Sequence, residues 1–276
     1  MTTRLLITSG QERQLERFIQ DAIRRALVET ELDRGGAQRV IENGGDLQSM
    51  IVAAIQRLSR SPVHHFSTKV SPIAEQIGQL HEWFPNLGPA DKKIANQPLP
   101  LGADGWFAIP RWEQVASTYA EALQTLFEHL RGRDGDFEDC RDRQQTGPDF
   151  IRRADKTAKA LQTLGEHQKN DVLIIAAQFS RWGEELSKAT IIKATGPEEF
   201  GLDPFSVGCM LLTHPMRLGN YESIDCLGGE CAPVGQFYSG KFDFVPTFRF
   251  YASKLNFETY GLSSPCGTYA SGFLEI

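Results

Sequence analysis

The spacing of apolar residues changes once along this chain, near Asp171, and that change constrains the fold more than any other feature. Before it, apolar residues recur at helical intervals. After it, turn-forming pairs recur at Gly196-Pro197, Asp203-Pro204, His214-Pro215, Gly219-Asn220, Gly228-Gly229 and Ser264-Pro265. The pattern predicts an α+β protein, with a helical N-terminal part followed by a mostly antiparallel β C-terminal part. The division falls at residues 1–188, mainly helical, and 189–276, rich in strands.

Within the first part, Ser9 stands three residues before Glu12, a capping-box spacing. It opens a helix whose buried face is Leu15, Phe18, Ile19, Ala22, Ile23, Ala26 and Leu27. Gly35-Gly36 and Asn43-Gly44-Gly45 are expected to break the chain around a short turn of helix, after which Asp46 caps a second long helix. Residues 37–60 therefore have the outline of a helix-turn-helix, which would set Gln48, Ser49, Gln56, Arg57 and Arg60 against DNA. Any helical hairpin gives the same outline, and the face is only mildly basic.

Residues 61–110 are proline-rich and read as irregular chain, with one helix from Pro72 to Phe84. The aromatic residues Phe66, Trp83, Phe84, Trp106 and Phe107 imply that these loops pack onto the body. A strong helix is predicted from Trp112 to Arg131, and another opens at Thr146 and Asp149 and runs through Leu164. Asp171 to Ala177 suits a buried strand or a buried helix, and its continuation through Trp182 and Leu186 favours helix for 171–188. Thr190 to Ala194 reads as a strand. Thr247 to Tyr251 and Leu255 to Tyr260 alternate aromatic with polar residues and read as a β-hairpin.

Composition narrows the function classes. The chain has 276 residues, enough to bury a core without staples, and a net charge of −6, which gives no general attraction to nucleic acid or anionic lipid. The longest apolar run, Val172 to Ala177, is far short of a bilayer span, and the short apolar run at the N-terminus does not suggest export. Five cysteines is an odd number in a chain too large to need a disulfide framework, so a cytoplasmic setting with free thiols is expected.

Motifs for enzyme chemistry are absent: there is no G-x-S-x-G, no P-loop and no dinucleotide fingerprint. The acidic run Asp134 to Asp139 departs from a calcium loop at Asp139, where glycine is needed, and at Gln145, where a bidentate glutamate is needed. It reads as a solvated loop. His64-His65 is read as surface loop. The sharpest chemical candidates are Cys226 and Cys231, separated by a segment with two glycines, with Cys266 and His214 completing a tetrahedral zinc site. Cys209 with His214 is the candidate thiol–base pair of an enzyme. Without a catalytic signature, the leading expectation is a non-enzymatic protein that binds another macromolecule, most simply another protein. A zinc-supported domain, a thiol enzyme and DNA binding through 37–60 stand as alternatives.

Overall fold

The computed structural model describes residues 33–45, 70–134, 137–141, 147–182, 186–217, 223–232, 241–251 and 254–274, with single positions at 19, 23, 48 and 51. The chain divides into two compact units, residues 1–63 and 64–276. In the first, helix α1 (Arg34–Glu42) begins at Asp33, whose carboxylate accepts the Gly36 N–H, and ends at Asn43. Gly35 and Gly36 thus sit inside its first turn, where a side-chain cap satisfies a backbone donor that would otherwise be orphaned. The helices predicted from Ser9 and from Asp46 lie almost entirely outside the described residues, as do His64 and His65.

The second unit opens with helix α2 (Ile73–Trp83), entered from Pro72 as predicted. Strand β1 (Gly105–Pro110) follows, then a 3-10 turn at Trp112–Gln114 and helix α3 (Tyr119–Asp134). The single helix expected from Trp112 is thus divided. Thr118 and Glu121 form a capping box: the Glu121 N–H donates to Thr118 Oγ1 and the Thr118 N–H to Glu121 Oε2. Next come strand β2 (Phe137–Asp139), strand β3 (Ile151–Arg153), helix α4 (Asp155–Gln168) and strand β4 (Val172–Trp182). The helix expected through Ile151 and Ala154 starts only at Asp155. The acidic segment, expected as a solvated loop, places Phe137 in the core.

Beyond β4 lie helix α5 (Lys188–Ala194), strand β5 (Glu199–Gly201), helix α6 (Pro204–Thr213) and strands β6 (Ser223–Asp225) and β7 (Gly229–Cys231). Strands β8 (Phe244–Tyr251), β9 (Lys254–Gly261) and β10 (Thr268–Phe273) complete the chain. Thr190 to Ala194, expected as a strand, is helical because Ser187 accepts the Thr190 N–H and caps the turn. The β8–β9 hairpin matches its prediction, with Phe248 opposite Phe257 and Tyr251 opposite Lys254.

The ten strands among the described residues join one sheet. Its main path is β1-β4-β10-β6-β8-β7-β3, with β9 beside β8 and β2, and β5 beside β10. Strands β10 and β6 run parallel, as do β2 and β9, whereas β1·β4 and β8·β9 are antiparallel. The sheet is therefore mixed, which corrects the mostly antiparallel one expected. Parallel neighbours need far more connecting chain than a hairpin turn, and here β6 reaches β10 by way of β7, β8 and β9. The expected order of helices and then strands is only partly observed, since β1 to β4 precede residue 188 and α5 and α6 follow it.

Residues 171–188, expected to be helical, contribute β4, an interior strand one in from the β1 edge, paired with β1 on one side and β10 on the other. Val172 to Ala177 are all buried, the continuous apolar run of a strand covered on both faces. Two glutamine amides complete backbone pairing that strands leave open. Gln76, itself buried, donates through Nε2 to Trp106 O and accepts the Ala108 N–H, both at 2.9 Å. Gln168 does the same for Ile174, donating to its carbonyl at 2.9 Å and accepting its N–H at 2.8 Å. Such substitutes blunt an edge that would otherwise pair with another chain.

Helix α6 is buried along its whole length, as a helix apolar on every side must be. Gly208 lets it meet α3 closely, since a Cβ there would come within 2.4 Å of Leu126. Phe127, Phe248 and Phe257 fill the core beside it, with ring centroids 4.7 and 5.0 Å apart along that chain of contacts. This packing sets α6 against α3 and β1.

Candidate functional site

Where β1 ends, the chain stays bound to β4 for one residue more, as the Arg111 N–H donates to Asp171 O at 2.8 Å. That contact anchors Arg111 and the turn carrying Trp112 and Glu113 beside α4. The Arg111 guanidinium lies over α4 at Gly165, where a Cβ would stand 3.4 Å from Arg111 Cζ. Arg153, the last residue of β3, projects from the other side. Its guanidinium lies 5.5 Å from the Trp112 ring and 5.6 Å from the Tyr119 ring, which meet each other edge to face at 6.0 Å.

Between these parts is a cleft of about 170 Å³. Ile109, Leu173, Asp203, Phe205 and Ser206 form its buried floor. Arg111, Trp112, Arg153 and Leu161 are half-buried walls, and Glu113 and Gln162 stand exposed at the rim. Asp203 belongs to the floor because it caps α6, where its carboxylate accepts the Ser206 N–H at 2.8 Å. Pro204 occupies the first helical position, so the Asp203-Pro204 pair read as a turn is the start of a helix.

The electrostatics of the cleft are unusual for a surface. Burial raises the Asp203 carboxyl above its ordinary range, against the opposing pull of Arg153, the Ser206 contacts and the Tyr119 hydroxyl. Burial, and then the Asp203 charge, push the Tyr119 phenol well up. Among the described residues neither Arg111 nor Arg153 places its guanidinium in a hydrogen bond or in an ion pair within 4 Å, and the Trp112 Nε1–H is buried without an acceptor. A carboxyl of shifted affinity beside cations in a concave site is the arrangement expected where a ligand is received.

The residues singled out in the sequence lie elsewhere. His214 ends α6 with its ring against Phe107 and Phe179, at 5.1 and 6.3 Å. Its Nε2 accepts the Ser71 N–H at 3.0 Å, so Nδ1 carries the proton and donates towards Met210 O and Thr213 Oγ1. Burial, with the nearby Arg217 charge adding to it, lowers this imidazole to about 4. Cys209 is fully buried on the same helix, and burial and Asp203 raise its thiol well above the ordinary range. With both ring nitrogens engaged elsewhere, His214 is not placed as a base for Cys209.

Cys226 and Cys231 share the main core, with Cys231 among the charges that raise the Cys226 thiol, whereas Cys266 packs in a separate cluster with Ile191, Leu227, Val245 and Tyr269. Burial pushes the Cys231 thiol up to about 12, opposed by Arg141, whose Nη1 donates to its sulfur at 3.6 Å. Burial and the Asp225 charge raise Cys266. Among the described residues no group of three or more His, Cys, Asp or Glu side chains is placed to hold a metal ion, and none of the helices is long and apolar enough to cross a membrane.

The sequence reading missed Arg111, Arg153 and Asp203. The available signals were Asp203-Pro204 as a cap and first helical residue, and Thr118 with Glu121 as a capping box. The chain matches no family model, no curated protein and no solved structure.

Proposed function

We propose that this chain is a non-enzymatic binding protein that engages another macromolecule through the cleft between β1, α4 and the start of α6. The observation that supports this reading is the pair of half-buried guanidiniums, Arg111 and Arg153, which have no hydrogen-bond acceptor among the described residues. Arginine's planar fork of donors matches acidic groups, and exclusion from bulk water strengthens such contacts. The size of the cleft supports a macromolecular partner. About 170 Å³ is well below the roughly 300–1,000 Å³ of sites that engulf a whole small molecule, yet it admits a single projecting group.

The four buried thiols, each raised by burial, fit the cytoplasmic setting expected of the chain. A photo-crosslinking residue in place of Gln162 tests the reading in cells. The expected result is an adduct with a defined macromolecule that disappears when Arg111 and Arg153 are both changed to alanine. An adduct pattern indifferent to the two arginines overturns it.

A further inference from the structure

The groups lining the cleft also bear on what kind of acid enters it. Resting on the binding reading above, we propose that the group received is a single carboxylate on a short aliphatic stem, the side chain of a glutamate or aspartate in a partner polypeptide.

Three observations carry this. The first is charge. Arg111 and Arg153 supply two positive charges, while Asp203 on the floor and Glu113 on the rim are the acidic groups that face them. Asp203 is also faced by Tyr119 from α3, by Ser206 and Cys209 on α6, and by Cys226. A monoanion sets less charge against the two carboxyl groups that share the cleft with the guanidiniums than a phosphate dianion does.

The second is shape. The donors are planar forks from two directions, which match the in-plane lone pairs of a carboxylate. The third is the wall. Ile109, Leu161 and Leu173 line the same space, so the stem behind the acid meets apolar surface while the acid meets the arginines. A nucleic-acid backbone offers no aliphatic stem for that wall.

Binding is read most directly at Trp112. The chain has four tryptophans, so its four indole N–H resonances are assigned by comparison with Trp112→Phe. The full chain is titrated with the capped peptides Gly-Glu-Gly and Gly-Gln-Gly, with glutarate and with inorganic phosphate at matched ionic strength. The glutamate peptide is expected to move the Trp112 resonance saturably and the glutamine peptide to leave it in place. Phosphate is expected to bind at least about tenfold more weakly. Arg111→Gln and Arg153→Gln are each expected to weaken the glutamate peptide about tenfold. In the unmutated chain, Overhauser contacts should join the glutamate methylenes to the methyls of Leu161 and Leu173, an outcome independent of how any variant folds.

Phosphate binding as tight as the glutamate peptide overturns the carboxylate assignment and leaves an anion-binding cleft. Tighter binding of glutarate than of the peptide overturns the polypeptide source in favour of a free acid. Failure of every anion to move Trp112 overturns both this inference and the reading it rests on.

Discussion

Among the cations of the second unit that sit against aromatic rings, Lys188 and Arg153 differ in one respect of their surroundings. Lys188 at the start of α5 is 3 % exposed, with Nζ 2.8 Å from Asp225 Oδ2, donating to Pro265 O at 2.8 Å, and 5.6 Å from the centre of the Tyr260 ring. Asp225 in turn accepts the Thr247 hydroxyl at 2.6 Å. Arg153 stands between Trp112 and Tyr119 at similar distances, near an acid, but without an acceptor among the described residues. The enclosed cation is saturated from within because an unpaired buried charge costs several kcal/mol. The cation on the cleft keeps contact with water, so its donors can remain available to a ligand. Stability and binding are thus assigned to different charges of the same unit.

The sharpest way to break this contrast is to remove each cation in turn. Lys188→Met leaves Asp225 buried and uncompensated, and denaturant unfolding should show a loss of about 3–5 kcal/mol. Adding Asp225→Asn to that variant should restore much of the loss, because the stranded charge is gone. If Lys188→Met proves neutral, the account of Lys188 as an internally saturated ion fails.

Gln76→Leu extends the comparison to neutral groups. It strands Trp106 O and Ala108 N–H within the sheet, and urea unfolding should report about 2–4 kcal/mol. A smaller change would mean that water reaches this edge.

His214 adds a dependence on pH. Its folded affinity for protons, lowered to about 4, is weaker than the ordinary value of 6.5. The unfolded chain therefore binds more protons between those values, and stability falls as pH falls from 6.5 towards 4. Over the first one and a half units the loss should be about 2 kcal/mol, and His214→Gln should flatten this part of the stability profile. A profile unchanged by that substitution would place the acid sensitivity elsewhere.

Arg153→Met is expected to have the smallest effect on folding, about 1 kcal/mol or less, since it removes two ring contacts but no hydrogen bond. Calorimetry of the variant against the unmutated chain decides this. A loss as large as that of Lys188→Met would make Arg153 a structural cation and remove the contrast.

How far these features could be read in advance depended on how local their causes were. Helix α2 and the β8–β9 hairpin were legible because a proline entry, helical spacing and alternation lie within each segment. The start of α6 was half legible: Asp203-Pro204 announced a change of direction, but as a helix cap its value lay in the backbone N–H of Ser206. Helix α5 was misread because its apolar pair, Ile191 and Ile192, outweighed the cap at Ser187. The cleft itself was not legible. Arg111, Arg153 and Asp203 come from the end of a strand, the end of another strand and a helix cap, far apart in sequence, and no spacing rule joins them.

Sequence alone determined the proline entry of α2 and the alternation of the hairpin, because these depend on neighbours a few residues away. Only the tertiary structure decided that Val172 to Trp182 is a strand and not a helix. An apolar run of that kind satisfies its backbone equally well within itself or across to β1 and β10, and the choice belongs to the partners. It also decided which cations are saturated. Desolvation and pairing are properties of everything packed around a charge, so Lys188 and Arg153, both unremarkable in the sequence, came to hold different roles.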